Sequence, residues 1–259
     1  MKRVITAVVL VPFALYAVIW APPWLFFGAI CALACICFHE YATITKTFAP
    51  LGYVAGLLFL ALSLTNAVPI LVIVTALAAM STSLWADDLK QGMERASMLL
   101  LGILYVFGSW STATSLHNLN PYWLLFGLTI NWVGDSGAFY VGKNFGKHKL
   151  APKVSPGKTW EGTIGGAALT VVYGAGFVVV AKLGVAWWMG GLLALLCGSA
   201  GQLGDLAESA LKRAYGVKDS GTILPGHGGA LDRMDSSLFS MPALLAFLNL
   251  FGVTPHPSL

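Results

Sequence analysis

Nine long apolar runs, each nearly free of charged residues, constrain this chain more than any other feature. They are predicted at residues 4–20, 22–38, 51–66, 68–86, 97–116, 122–141, 163–181, 184–206 and 237–252. A helix needs about 20 apolar residues to cross a bilayer, so each run is a candidate transmembrane helix. The runs at 51–66 and 68–86 could instead form a tighter or re-entrant hairpin.

Composition excludes the other classes of protein. The chain has 259 residues, of which 57% are hydrophobic and only 10% are charged. A soluble domain carries roughly 25% charged residues, and disordered or collagen-like chains are far less apolar. We therefore predict an all-α, polytopic integral membrane protein with about nine transmembrane helices. The first run resembles a signal sequence but lacks a small-residue cleavage site, so we expect an uncleaved first helix.

The distribution of basic residues predicts the orientation. With Lys2 and Arg3 inside, nine spans leave 14 of the 15 Lys and Arg residues on the inner side and only Lys182 outside. Short cytoplasmic loops carry such an excess of Lys and Arg. The sequence thus predicts a cytoplasmic N-terminus and insertion in the inner or plasma membrane of the cell. No feature indicates binding of nucleic acid.

The acidic residues lie on the same predicted side, which topology rules do not require. We expect the chemistry there, in loops 142–162 and 207–236 of a C-terminal region (121–259) that follows N-terminal helices (1–120). Asp135 lies near the inner end of a span, where a carboxylate is costly unless it is paired or liganded. The five lysines of loop 142–162 either hold anionic lipid headgroups or belong to a structured anion-binding loop.

The later loop carries charges at two span ends. If the helix continues through 205–212, Asp205, Glu208, Ser209 and Lys212 share one face at i, i+3, i+4 and i+7. Asp232 and Asp235 form a second carboxylate pair at the start of the last span. Carboxylates of this kind hold a hard cation such as Mg²⁺, which in turn bridges phosphates. A solvated, salt-bridged loop would explain the charges but not their clustering at two span ends.

A family resemblance rests on the segment from 209 to 235. It contains these residues at the spacing of a known signature: Ser209, Leu211, Lys212, Arg213, Lys218, Asp219, Gly221, Leu224, Pro225, His227, Gly228, Gly229, Asp232, Arg233, Met234 and Asp235. The segment closely resembles the signature of phosphatidate cytidylyltransferases, also called CDP-diacylglycerol synthases. Asp135-Ser136-Gly137 and the stretch Ser155–Gly162 look like that family's pattern too. Ala230 departs from it, since a bulky aliphatic residue commonly follows His-Gly-Gly.

The resemblance implies that CTP and phosphatidate react to give CDP-diacylglycerol and pyrophosphate for phospholipid synthesis, with Mg²⁺ and possibly a second cation as cofactor. It also implies a homodimer among membrane lipids. We assign the predicted metal ligands as Asp205, Asp232 and Asp235. The predicted CTP and phosphate contacts are Ser209, Lys212, Arg213, Lys218, Gly228, Gly229 and Arg233. The other predicted catalytic residues are Asp135, Lys158, Glu161, Asp219 and His227.

Three alternatives stay open at this point. One is a CTP-dependent transferase for another lipid phosphate, such as an ether or prenyl lipid. The second is a cytoplasm-facing transporter of organic phosphates, although such a protein would carry charges near the bilayer midplane. The third is a structural lipid-binding membrane protein, which would leave the clustered carboxylates unexplained.

Overall fold

The structure, a computed structural model, describes residues 12–63, 65, 68–223 and 228–253. The chain divides into two compact units. The first comprises Met1–Ser115 and Tyr215–Arg233, and the second comprises Leu116–Ala214 and Met234–Leu259. The predicted regions 1–120 and 121–259 stay a prediction.

The first unit is built from helices. In chain order they are α1 (12–19), α2 (Pro23–Thr45), α3 (Ala49–Ala61), α4 (Val68–Ser81), α5 (Leu89–Gly102) and most of α6 (Ser109–Leu119). A 3₁₀ turn at Thr82–Trp85 extends α4, and a π-helical segment at Ile103–Gly108 joins α5 to α6. The Asp88 carboxylate caps α5, because it accepts a hydrogen bond from the Lys90 N–H at 2.9 Å.

Aromatic rings fill the core of the first unit. Phe38 and Phe107 are fully buried, with ring centroids 5.2 Å apart. The buried Tyr41 ring sends its hydroxyl to the Met98 carbonyl at 2.8 Å. A Cβ at Gly56 would overlap the Phe107 ring, so glycine allows this close approach. The packing holds the C-terminal part of α2 in place.

The second unit contains three helices and a small hairpin before the last helix. Its elements are α7 (Pro121–Phe145), β1 (Lys149–Ala151), β2 (Ser155–Thr159), α8 (Trp160–Val180), α9 (Trp187–Ala214) and most of α10 (Leu231–Leu250). Asn120 caps α7 by accepting the Tyr122 N–H at 2.9 Å, and Pro121 occupies the first helical position.

Glycines bring the backbones of α7, α8 and α9 together. A Cβ on Gly166 would lie 2.6 Å from the Gly134 carbonyl oxygen, and one on Gly174 would lie 2.6 Å from that of Gly190. Such close contacts are typical of helix packing in membranes, where small residues permit dense van der Waals contact. The buried Asn131 amide donates to the Ser240 hydroxyl at 2.8 Å and so links α7 to α10.

Eight of the nine predicted runs coincide with helical segments, and the first run lies partly outside the described residues. Within the described part of the chain, four helical stretches are long and apolar enough to cross a membrane by length and composition: Pro23–Thr45, Val68–Trp85, Leu89–Leu119 and Trp160–Val180. The 13 residues of α3 span about 20 Å, too little to cross alone. The structure supports an all-α membrane protein, while the count of nine spans and the orientation stay predictions.

The hairpin is a difference from the predicted all-α fold. Strands β1 and β2 pair antiparallel, with Lys149 opposite Thr159 and Ala151 opposite Ser155. Proline at position 156 favours an extended Ser155, which suits a strand. Backbone pairing therefore orders part of the loop 142–162, and the sequence pattern did not predict this hairpin.

Candidate active site

A cavity of about 450 Å³ opens in the second unit between the hairpin and the helices α7, α8 and α9. Its lining includes Asp135, Lys143, Ser155, Lys158, Thr159 and Gln202. Two of these, Asp135 and Lys158, are predicted site residues. The cavity thus joins the two sequence segments around 135 and 158 in one place.

An ion pair connects the hairpin to α9. The Lys158 ammonium lies 2.5 Å from the Asp205 carboxylate, and both side chains keep about a quarter of their surface exposed (23% and 29%). The Ser209 hydroxyl donates to the same carboxylate at 3.4 Å. Because both charges are partly solvated, this pair can separate at modest cost when another charged group arrives.

Glu161 organises the turn before the hairpin. Its carboxylate accepts hydrogen bonds from the Lys147 N–H at 3.1 Å and the His148 N–H at 3.2 Å, and it also meets the His148 ring at 2.5 Å. Thr159 caps α8, the helix that carries Glu161, by accepting the Gly162 N–H at 3.2 Å. These contacts hold Lys158 at the cavity, so Glu161 contributes there by ordering the hairpin.

The helix α9 continues to Ala214. Residues 205–212 are therefore helical, as the prediction of one charged helix face required. On this face the Lys212 ammonium lies 2.5 Å from Glu208. The Glu208 side chain is fully buried and that of Lys212 is 11% exposed. Arg213, the next residue, is exposed to solvent. Lys212 therefore neutralises a buried carboxylate of its own helix.

Asp235 is a buried carboxylate next to other acidic groups. Its pKa is raised to about 7, first by burial and then by the Asp205 carboxylate, with a smaller contribution from Asp135. The Ser236 N–H, which donates to it at 2.6 Å, and the Lys212 ammonium act in the opposite direction. Asp235 lies in the first turns of α10, ahead of the predicted apolar span at 237. A cation would relieve the repulsion among these carboxylates.

The donor set fits a hard cation, since it consists of carboxylate oxygens. Within the residues that the structure describes, however, no three His, Cys, Asp or Glu side chains come together closely enough to hold a metal ion. Magnesium, with or without a second cation, therefore stays a prediction. Asp205 and Asp235 share the second unit, and Asp232 belongs to the first.

In the first unit, Asp232 orders the loop that precedes α10. Its carboxylate accepts the Ser220 N–H and the Gly229 N–H, both at 2.9 Å. Gly228 has a positive φ of 81°, and a Cβ there would lie 2.8 Å from the Asp232 carboxylate. The Gly229 N–H, predicted to meet a phosphate, donates to Asp232 instead; its predicted role in substrate binding stays untested.

The remaining predicted residues of this unit surround the loop. Lys218, Asp219 and Arg233 are exposed, as side chains that meet a substrate must be. His227 lies outside the described residues. The structure therefore places six predicted residues in the first unit and eight in the second.

Two residues of this loop network were missed by sequence reasoning. Glu40 is buried and hydrogen-bonded to the loop, and Ser220 is buried beside it. A signal was present: α10 begins after Ala230, a poor N-cap, so its first N–H groups need acceptors from elsewhere. The sequence alone does not say which distant carboxylate supplies them.

Comparison with known proteins finds a matching family and several named relatives. The family model described as the cytidylyltransferase family matches residues 1–251. Phosphatidate cytidylyltransferase of Bacillus subtilis (strain 168) is 44% identical over 162 residues, which are 61% of this chain and 60% of the relative. The enzymes of that name from Staphylococcus saprophyticus and Staphylococcus aureus (strain COL) are 40% and 42% identical over 58% and 57% of this chain, and 57% and 55% of their own lengths. The chain thus matches rather more than half the length of these curated relatives.

Proposed function

This chain belongs to the cytidylyltransferase family, and we propose from that membership that it transfers the cytidylyl group of CTP to phosphatidate. The products are CDP-diacylglycerol and pyrophosphate. The proposal agrees with the names of its curated relatives. An enzyme of this kind serves phospholipid synthesis.

The observation that carries the proposal is the Lys158–Asp205 ion pair beside the 450 Å³ cavity. Its two charges match the two needs of nucleotidyl transfer. A cationic side chain neutralises phosphate oxygens, and a carboxylate holds the cation that accompanies a nucleotide. The partial exposure of both side chains leaves them accessible to a ligand.

In the proposed reaction an oxygen of the phosphatidate phosphate attacks the α-phosphorus of CTP in line. The bond from that phosphorus to the bridging oxygen breaks, and pyrophosphate leaves. Since the lipid phosphate is already an oxyanion, the protein need not supply a nucleophile or form a covalent intermediate. Its work is positioning and the neutralisation of charge.

The side chains of the second unit divide this work. Lys158, at the cavity, would bind phosphate oxygens once it leaves Asp205. The predicted roles of Lys212 and Arg213 are to hold further phosphate charge. Asp205 and Asp235 would hold Mg²⁺, which would supply positive charge that lowers the repulsion between phosphates. Asp232, in the first unit, stays a predicted ligand.

We further propose that the protein crosses the membrane about nine times with its N-terminus and its site on the cytoplasmic side, and that it forms a homodimer. The proposed orientation is supported by the 14 basic residues that nine spans place inside. Such a site meets CTP from the cytosol and phosphatidate from the inner leaflet.

Pyrophosphate release from the purified protein in detergent tests the function. The assay contains CTP, phosphatidate and Mg²⁺, and each is omitted in turn. Release that needs all three is expected. Release with an ether or prenyl lipid phosphate but not with phosphatidate would change the substrate. A folded protein that is silent with every lipid would contradict the proposal and favour transport.

A further inference from the structure

A buried carboxylate from the start of the chain contacts the loop before α10. Glu40, on α2, is only 3% exposed. It accepts hydrogen bonds from the Ser220 hydroxyl at 2.8 Å, the Ala230 N–H at 3.0 Å and the Leu231 N–H at 2.8 Å. All of these residues belong to the first unit. About 190 residues of chain separate the carboxylate from the backbone groups that it receives.

These donors include the first N–H groups of a helix. The helix α10 begins at Leu231, and the preceding Ala230 has no side chain that could cap it. A helix leaves its first N–H groups without partners inside the helix, and its N-terminus attracts negative charge. Glu40 therefore acts as an N-cap supplied by another helix.

Ser220 connects Glu40 to the predicted site residue Asp232. Its hydroxyl donates to Glu40 and accepts the Asp232 N–H at 3.2 Å, while its own N–H donates to the Asp232 carboxylate at 2.9 Å. Ser220 thus contacts two carboxylates, Glu40 through its hydroxyl and Asp232 through its backbone N–H.

Two glycines of the family signature make room for the Glu40 carboxylate. A Cβ on Gly221 would lie 2.5 Å from a Glu40 oxygen, and a Cβ on Gly229 would overlap both Glu40 and the Ser220 hydroxyl. Neither glycine has a positive φ. They are needed here for space and not for backbone conformation.

We infer that Glu40 is a positioning residue: it sets the conformation of residues 219–221 and 229–232 and so directs Lys218, Asp219 and Arg233 toward the substrate. The N–H groups of 229, 230 and 231 are taken by the carboxylates of Asp232 and Glu40. In this conformation these three N–H groups donate within the protein and not to a substrate phosphate. The kinetic part of this inference rests on the proposed function.

Three variants test the inference: Glu40→Ala, Glu40→Gln, which keeps one acceptor oxygen, and the control His39→Ala. His39 is the exposed neighbour of Glu40, and its ring nitrogen Nδ1 lies 3.2 Å from the Tyr53 hydroxyl. Pyrophosphate release is measured far below the melting temperature, together with amide hydrogen exchange of peptides that contain 217–233.

The Glu40→Ala protein is expected to lose about 100-fold in kcat/KM, as misplacement of binding groups by about 1 Å does. Its KM for CTP rises, the Gln variant falls between it and wild type, and the loop peptides exchange faster. His39→Ala behaves as wild type. A purely structural role would lower the melting temperature while the folded fraction kept its KM for CTP and its kcat.

Wild-type exchange in the loop peptides of folded Glu40→Ala, or a wild-type kcat and KM, would overturn the inference. If Glu40→Ala cannot be purified, Ser220→Ala tests the inference by pyrophosphate release and hydrogen exchange. This variant removes the hydroxyl that links Glu40 to Asp232 and leaves the Glu40 carboxylate in place. A wild-type protein that releases no pyrophosphate would refute the proposed function, whereas the exchange data would still decide whether Glu40 orders the loop.

Discussion

The carboxylates of the two units are satisfied in different ways. In the second unit, Asp205 and Glu208 face the ammonium groups of Lys158 and Lys212. In the first unit, Glu40 and Asp232 accept hydrogen bonds from N–H and hydroxyl donors of one loop. A lysine can turn from a carboxylate to a phosphate, but a backbone N–H cannot move without its loop. The second unit thus offers exchangeable charge at the partly solvated Lys158, and the first offers fixed geometry.

The sharpest test of this difference uses Asp232. We expect Asp232→Asn to lower turnover by about 100-fold or more, because it removes a predicted metal ligand and weakens the acceptor of two loop N–H groups. The protein should remain folded and inserted. Pyrophosphate release, followed as a function of Mg²⁺ concentration, measures the effect. Normal turnover in folded Asp232→Asn would refute both roles.

A comparison of the two ion pairs separates buried from exposed charge. Lys212→Ala should destabilise the protein by about 3–5 kcal/mol, because it leaves the buried Glu208 carboxylate without its cation. Lys158→Ala should cost about 0–1 kcal/mol, since that pair is partly solvated. Thermal unfolding in detergent measures both. The double variant Glu208→Gln/Lys212→Met should recover most of the loss, and equal shifts for both lysines would contradict the comparison.

The exposed pair should matter for turnover instead. Lys158→Ala is expected to raise the KM for CTP and lower kcat/KM by about 10-fold to 100-fold, because one phosphate contact is lost. Lys182→Ala is the matched control, an exposed lysine on the predicted outer side. If the two variants had the same activity, the cavity beside Lys158 would not be the substrate site.

The smallest expected effect concerns pH. Burial and the Asp205 carboxylate raise the pKa of Asp235 from 3.8 to about 7. The folded state therefore keeps a proton that the unfolded state releases, so the stabilisation from this proton is complete below about pH 4 and is lost as the pH rises to about 7. With EDTA present, Asp235→Asn should melt about 3 °C or more above wild type at pH 8, with a smaller difference at pH 5.

The same melting experiment with Mg²⁺ in place of EDTA tests Asp235 as a metal ligand. At pH 8 Mg²⁺ should raise the melting temperature of wild type by binding the folded state, and it should raise that of Asp235→Asn less. An equal response of the two proteins would remove Asp235 from the predicted metal ligands.

The helices and most of the candidate residues were predictable from local patterns. Apolar runs located the helices, because every backbone polar group in a bilayer must be satisfied within a helix or a barrel. The spacing of Asp205, Ser209 and Lys212 predicted one helix face, which the continuous α9 confirms. The hairpin of loop 142–162 was missed, since its pairing depends on a turn and on the packing of Thr159 rather than on an alternating pattern.

The sequence by itself determined the class of the protein, the positions of its helices and the family signature, because hydropathy and motif spacing are local properties. Only the tertiary structure decided which groups meet. It paired Lys158 with Asp205, buried Glu208 against Lys212, and brought Glu40 to the start of α10. The physical reason is that a buried charge needs a partner, and the chain satisfies that need across distances that no local pattern encodes.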